Sequence, residues 1–97
     1  MKFVFFANTE RLMDEVVGLV DVPEPPRWFV LQADAIDDVD FTGGKVLAEM
    51  AKQLADRGIV FAVAGARPSV RRQLDRFGVK AKAYETLDAA LDAFHAA

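Results

Sequence analysis

Apolar positions change their spacing several times along the chain, and each change marks a boundary. Phe3 to Ala7 is an unbroken apolar run of strand length, rich in aromatic residues. From Thr9 to Val20 the residues Leu12, Val16, Val17, Leu19 and Val20 return at helical spacing, with Glu10, Arg11, Asp14 and Glu15 on the other side and Asn8 placed to cap the segment. Pro23, Pro25 and Pro26 forbid helix and mark a loop. Trp28-Phe29-Val30-Leu31 reads as a buried strand. After a polar stretch, Val46, Leu47, Met50, Ala51, Leu54 and Ala55 form the inner stripe of a helix that Gly58 ends. Ile59 to Ala64 is the clearest strand and Gly65 closes it. Pro68 suits a first helical turn, Val70, Leu74 and Phe77 supply the next stripe, and Gly78 stops it. Val79 to Tyr84 reads as a short strand. Thr86 is placed to cap a last helix with Leu87, Ala90, Leu91 and Phe94 facing inward.

Strands that alternate with helix-length spacers predict an α/β fold with parallel strands and right-handed crossovers. The expectation is one domain over residues 1–97, with a mostly parallel central sheet of about four strands and about four helices. Phe3-Val4-Phe5-Phe6 is apolar on both faces, so such a strand wants cover on each side and a neighbour on each edge. Two expectations follow: a preceding strand carried by a longer parent protein, or a natural edge covered by a partner chain.

Composition narrows the picture. Hydrophobic residues make up 53% and charged residues 28%, as in a globular chain. No run of about 18 apolar residues exists to span a membrane, and Phe3 to Phe6 is too short for a signal-peptide core. Cysteine is absent, which removes disulfides, thiolate metal sites and cysteine nucleophiles. A net charge of −3 gives no general case for nucleic acid. The charge is uneven, however. Arg67, Arg71, Arg72, Arg76, Lys80 and Lys82 crowd one stretch broken only by Asp75. That stretch reads either as a solvated helix face or as a docking patch for an acidic partner or anionic lipid headgroups.

Candidate chemistry is sparse. His95, the only histidine, lies two residues from the end of the sequence, where a catalytic triad is hard to fix. Ser69, the only serine, sits beside Pro68 at a helix start and reads as a cap. Asp34, Asp37, Asp38 and Asp40 invite a metal reading, but the stretch lacks the distant glutamate of a calcium loop and Gly43 is misplaced for one. Thr42-Gly43-Gly44-Lys45 matches neither a dinucleotide fingerprint nor a phosphate loop. A different chemistry fits. A hydroxyl at a helix N-terminus lies beside unpaired N–H groups, and phosphorylating it adds roughly −1.5 to −2 charges. Thr42, with Asp37, Asp38, Asp40, Phe41, Gly43 and Gly44 around it, therefore reads as a switchable docking loop, and no catalytic or metal-binding residue is assigned.

These residues resemble the STAS family, which comprises anti-sigma-factor antagonists and the C-terminal domains of SulP-type anion transporters. The resemblance starts at the turn Asp40-Phe41-Thr42-Gly43. It continues through Val46-Leu47 to Leu54, Arg57-Gly58, Ile59-Val60-Phe61-Ala62 and Pro68-Ser69-Val70-Arg71-Arg72-Gln73-Leu74 to Phe77-Gly78-Val79, and it ends in Glu85-Thr86-Leu87-Asp88-Ala89-Ala90. Phe5-Phe6-Ala7-Asn8 and Trp28-Phe29-Val30-Leu31-Gln32-Ala33-Asp34 are similar to segments of SulP transporter tails, in which a further strand comes first. The resemblance implies a STAS-like fold lacking that first family strand. It implies a non-enzymatic regulatory or protein-interaction domain of a sulfate or anion transporter, at the cytoplasmic face of the membrane. The expected partners are the transporter membrane domain, a second STAS domain in a weak dimer, or a soluble cytoplasmic regulatory protein. No cofactor and no nucleic acid are expected. Thr42 falls on the position phosphorylated in the antagonists, while Phe41 departs from the small residue common there. A free-standing anti-sigma-factor antagonist regulated at Thr42 is the alternative. Arg67, Arg71, Arg72 and Arg76 remain a candidate basic contact patch.

Overall fold

The computed structural model describes residues 3–6 as backbone and residues 23–97 in full. The helix expected over residues 9–20, with its cap at Asn8, lies outside the described residues. The described elements are β1 (Phe3–Phe6), β2 (Trp28–Gln32), α1 (Phe41–Asp56), β3 (Val60–Ala64), α2 (Pro68–Arg76), β4 (Lys82–Tyr84) and α3 (Leu87–Ala96). The strands form one sheet in the order β1-β2-β3-β4, and every pairing is parallel. Trp28 of β2 registers with Val60 and Leu31 with Val63.

A strand with apolar residues at every position must be covered on both faces, and the sheet divides them by parity. Phe29, Leu31, Phe61 and Val63 point to one face, where Leu47, Met50 and Leu54 of α1 and Val70 and Leu74 of α2 close over them. Trp28, Val30, Ala62 and Ala64 point to the other, against Ala90 and Phe94 of α3. There the Trp28 and Phe94 rings meet edge-on with centroids 5.7 Å apart.

Two helices stop by the same device. Gly58 (φ +71°) and Gly78 (φ +75°) take the left-handed conformation that glycine adopts without strain. The Gly58 and Ile59 N–H groups donate to the carbonyls of Ala55 and Leu54, and those of Gly78 and Val79 to Asp75 and Leu74, which is the Schellman pattern. Ile59 and Val79 are buried immediately after. Thr86 caps α3, its hydroxyl accepting from the Ala89 N–H at 3.0 Å.

Three local expectations are corrected. Ala55 is exposed and Val46 half-buried, so the inner stripe of α1 is narrower than its apolar spacing suggested. Leu91 of α3 is likewise half-buried, whereas Leu87, also half-buried, packs against the core as expected. Ser69 does not cap α2: the cap position is Arg67, which makes no side-chain capping bond, and Pro68 opens the helix instead.

Candidate functional site

Helix α1 begins one residue after Asp40. The Asp40 backbone is extended and its Oδ1 accepts from the Gly43 N–H at 2.6 Å, satisfying one of the donors a helix start leaves open. A Cβ on Gly43 would stand 3.0 Å from that same oxygen, so the cap is tight. Phe41 is the first helical residue. It is 69% exposed, the only large apolar side chain so exposed among the described residues. Its ring meets Phe77 edge-on at 6.2 Å, and the Lys45 ammonium lies 5.1 Å from its centroid. Thr42 follows on the exposed surface.

Gly44 does not belong to that surface. It is buried, and a Cβ there would overlap the Phe77 ring, so the glycine exists to let the end of α2 close against the start of α1. This corrects its expected place in the docking loop.

The acidic loop before α1 is pinned from below. Ala33 N–H donates to the Ala64 carbonyl at 2.8 Å, and the Asp34 carboxylate lies where a side chain on Gly65 would stand. Asp37 pairs with Arg67 at 2.7 Å; both side chains are more than half exposed, so the pair contributes little to stability. Gln73 of α2 makes the stronger clasp. Its Oε1 accepts from the Val39 N–H at 3.0 Å, and its Nε2 donates to Asp38 Oδ1. A cleft of about 120 Å³ lies between loop and helix, lined by Ile36, Asp38, Val39, Asp40, Gly43 and Leu47. Metabolite sites run to roughly 300–1,000 Å³, so this cleft suits one side chain at most.

Asp37, Asp38 and Asp40 thus turn to different partners while Asp34 lies against Gly65, and among the described residues no group of three or more histidine, aspartate or glutamate side chains is placed to hold a metal. His95 is exposed and its ring lies 5.6 Å from that of Phe94. The candidate basic patch is divided. Arg67 is held by Asp37, Arg71 turns towards β4, and Arg72 and Arg76 lie one turn apart on the exposed side of α2. Gln73 and Phe77, which hold the loop and the aromatic knob, carry no signal as site residues. Their one trace in the sequence is that Gln73 sits beside the Val70–Leu74 stripe, where a polar residue needs a partner.

This arrangement offers a rigid, exposed helix start with a hydroxyl and an aromatic ring, and it belongs to a known class. The chain belongs to the STAS domain family, whose model matches residues 3–90. By sequence it is 34% identical over 96 residues to the probable sulfate transporter Rv1739c of Mycobacterium tuberculosis, an alignment covering 92% of this chain and 17% of that protein. The chain therefore spans about a sixth of that relative's length. By structure it is similar to the SulP transporter STAS domain from Vibrio cholerae, with a TM-score of 0.81 at 22% identity, covering 98% of this chain and 85% of that one. It is also similar to a sulfate transporter family protein from Wolinella succinogenes, with a TM-score of 0.81 at 21% identity, covering 97% and 85%. At these identities the structural matches establish the fold.

Proposed function

We propose that this chain is the non-enzymatic regulatory and docking domain of a SulP-type sulfate or anion transporter, acting from the cytoplasmic face of the membrane. In this reading residues 1–97 are a single domain of a longer protein. Sequence kinship to a probable sulfate transporter supports it, with an alignment confined to 17% of that protein. Among the described residues no helix is long and apolar enough to cross a membrane, so any transport path belongs to other parts of such a protein.

The observation that carries the docking role is Phe41, held 69% exposed on a capped and clasped helix start. Covering an exposed phenylalanine removes on the order of 100 Å² of apolar surface from water, which favours association by about 2–3 kcal/mol. Thr42, one residue on, is the proposed switch. A phosphate there would add about two negative charges within a turn or so of Asp38 and Asp40, changing what the surface accepts. The partner is the transporter membrane domain, a second STAS domain or a soluble cytoplasmic protein.

The test is a photo-crosslinking residue at position 41 of the full-length protein, with Phe41→Ala assayed for anion uptake in parallel. Crosslinks to the membrane domain or to a cytoplasmic protein, together with altered uptake at unchanged protein level, are expected. No crosslinked product and unchanged uptake would overturn the docking role. A parent gene with no upstream block of apolar helices, together with kinase-dependent phosphate on Thr42, would replace the transporter reading with that of an anti-sigma-factor antagonist.

A further inference from the structure

Strand β4 forms one side of the sheet, and its outer edge is unpaired among the described residues. The Tyr84 carbonyl accepts from the Gly65 N–H at 3.0 Å, so Lys82 and Tyr84 direct their backbone groups to β3. Ala83, between them, directs its N–H and C=O outward. Ala81, Lys82 and Ala83 are all exposed. On the α2 side of this edge lies a cleft of about 180 Å³, floored by Val63, Leu74, Val79, Ala81 and Ala83 and rimmed by Arg71 and Asp75. Arg71 and Asp75 are one helical turn apart, yet they form no ion pair with each other; Asp37–Arg67 is the one ion pair among the described residues.

We propose that this edge is a self-association surface, on which a second copy pairs its own β4 antiparallel to the first about a twofold axis at Ala83. Three features select a second copy over any other strand. The first is charge. A twofold axis places residue i against j and j against i. With Arg71 and Asp75 flanking the axis on antiparallel helices, Arg71 of each copy faces Asp75 of the other, and the pair unmet within one chain is met twice across two. An acidic peptide would meet Asp75 in the cleft, and a basic one would meet Arg71.

The second feature is spacing. Leu74 reaches the cleft floored by Val63 of β3 and Ala83 of β4, so α2 lies over those two strands. With strands about 4.8 Å apart, joining two such edges puts the two α2 helices roughly 10 Å from each other, the ordinary separation of packed helices. Alanines at positions 81 and 83 leave the floor between them clear.

The third concerns lysine, which usually guards an edge against pairing. Lys82 points to the opposite face from the cleft, with its ammonium 5.5 Å from the Trp28 ring centroid, folded back from the edge. In an antiparallel alignment about Ala83, Lys82 comes opposite Tyr84 and Glu85 opposite Ala81, so no like charges are directly opposed. Two backbone bonds and two exposed ion pairs make this a weak, salt-sensitive association.

Sedimentation velocity of the 97-residue chain over a concentration series at low salt tests the proposal. A monomer–dimer equilibrium is expected, and Arg71→Asp or Asp75→Arg alone should weaken it about tenfold. Mixing the R71D and D75R chains should restore association, because each then offers the charge the other needs, and the double variant R71D/D75R should dimerise like the parent. Ala83→Pro, which removes the outward N–H, should abolish it with the circular dichroism spectrum retained. A chain that stays monomeric throughout overturns the proposal, as does a dimer indifferent to both charge reversals or a mixture that fails to recover.

Discussion

Replacing Gly44 with Ala sets two opposed effects against each other, and their sizes decide the outcome. Within a helix, Gly→Ala alone stabilises by about 0.5–1 kcal/mol because the unfolded chain loses freedom. Here the added methyl would overlap the Phe77 ring, a half-buried group at the end of α2 rather than the tip of a flexible side chain. Overpacking of that kind costs about 1–3 kcal/mol. Displacing the ring also breaks its edge-on contact with Phe41, worth about 0.5–1.5 kcal/mol. The balance is a net loss of about 2 kcal/mol. Urea unfolding should show a midpoint lowered by about 1 M, since small domains lose roughly 1–3 kcal/mol per molar urea. Repeating Gly44→Ala in a Phe77→Leu background removes the flat ring, so the loss should shrink or change sign. If Gly44→Ala raised the midpoint with Phe77 in place, the packing argument for this glycine would be wrong.

Phe61→Ala should cost about 3–5 kcal/mol by chemical denaturation, because Phe61 is buried in a central strand beneath α1 and α2. Gln73→Leu removes the partner of the Val39 N–H and of Asp38, so it should lose about 1–2 kcal/mol and speed amide exchange at Val39. Phe41→Ala, by contrast, forfeits little beyond the edge-on contact with Phe77, so it should cost only about 0.5–1.5 kcal/mol by chemical denaturation while altering anion uptake by the full-length protein.

The fold was legible where its signals are local. Glycine stops at positions 58 and 78, the proline start at 68 and the Thr86 cap all act within one turn, and each sits where the pattern placed it. The parallel pairing of the strands followed from alternation alone. The site was legible only in part. Asp40, Phe41 and Thr42 lie at an exposed helix start, as their spacing implied. Gly44 reads as part of the docking loop in the sequence because its requirement comes from Phe77, far along the chain, and no periodicity reports such a contact. The pairing of Asp37 with Arg67 and the two hydrogen bonds of Gln73 are hidden for the same reason. Along the sequence the basic stretch from Arg67 to Lys82 stands apart from the aspartates of the loop, whereas folding brings Arg67 to Asp37.

Helix α2 is only nine residues long, yet it meets the loop and the start of α1 at three heights: Arg67 with Asp37, Gln73 with Asp38 and Val39, and Phe77 with Gly44 and Phe41. Its far flank carries Arg71 and Asp75 over the β4 cleft. It therefore works as a short crossbar with both long sides in use. Whatever binds at Thr42 or Phe41 loads the same rod that borders the opposite margin of the domain, so occupancy at one surface should be readable as altered amide protection along Arg71 to Asp75.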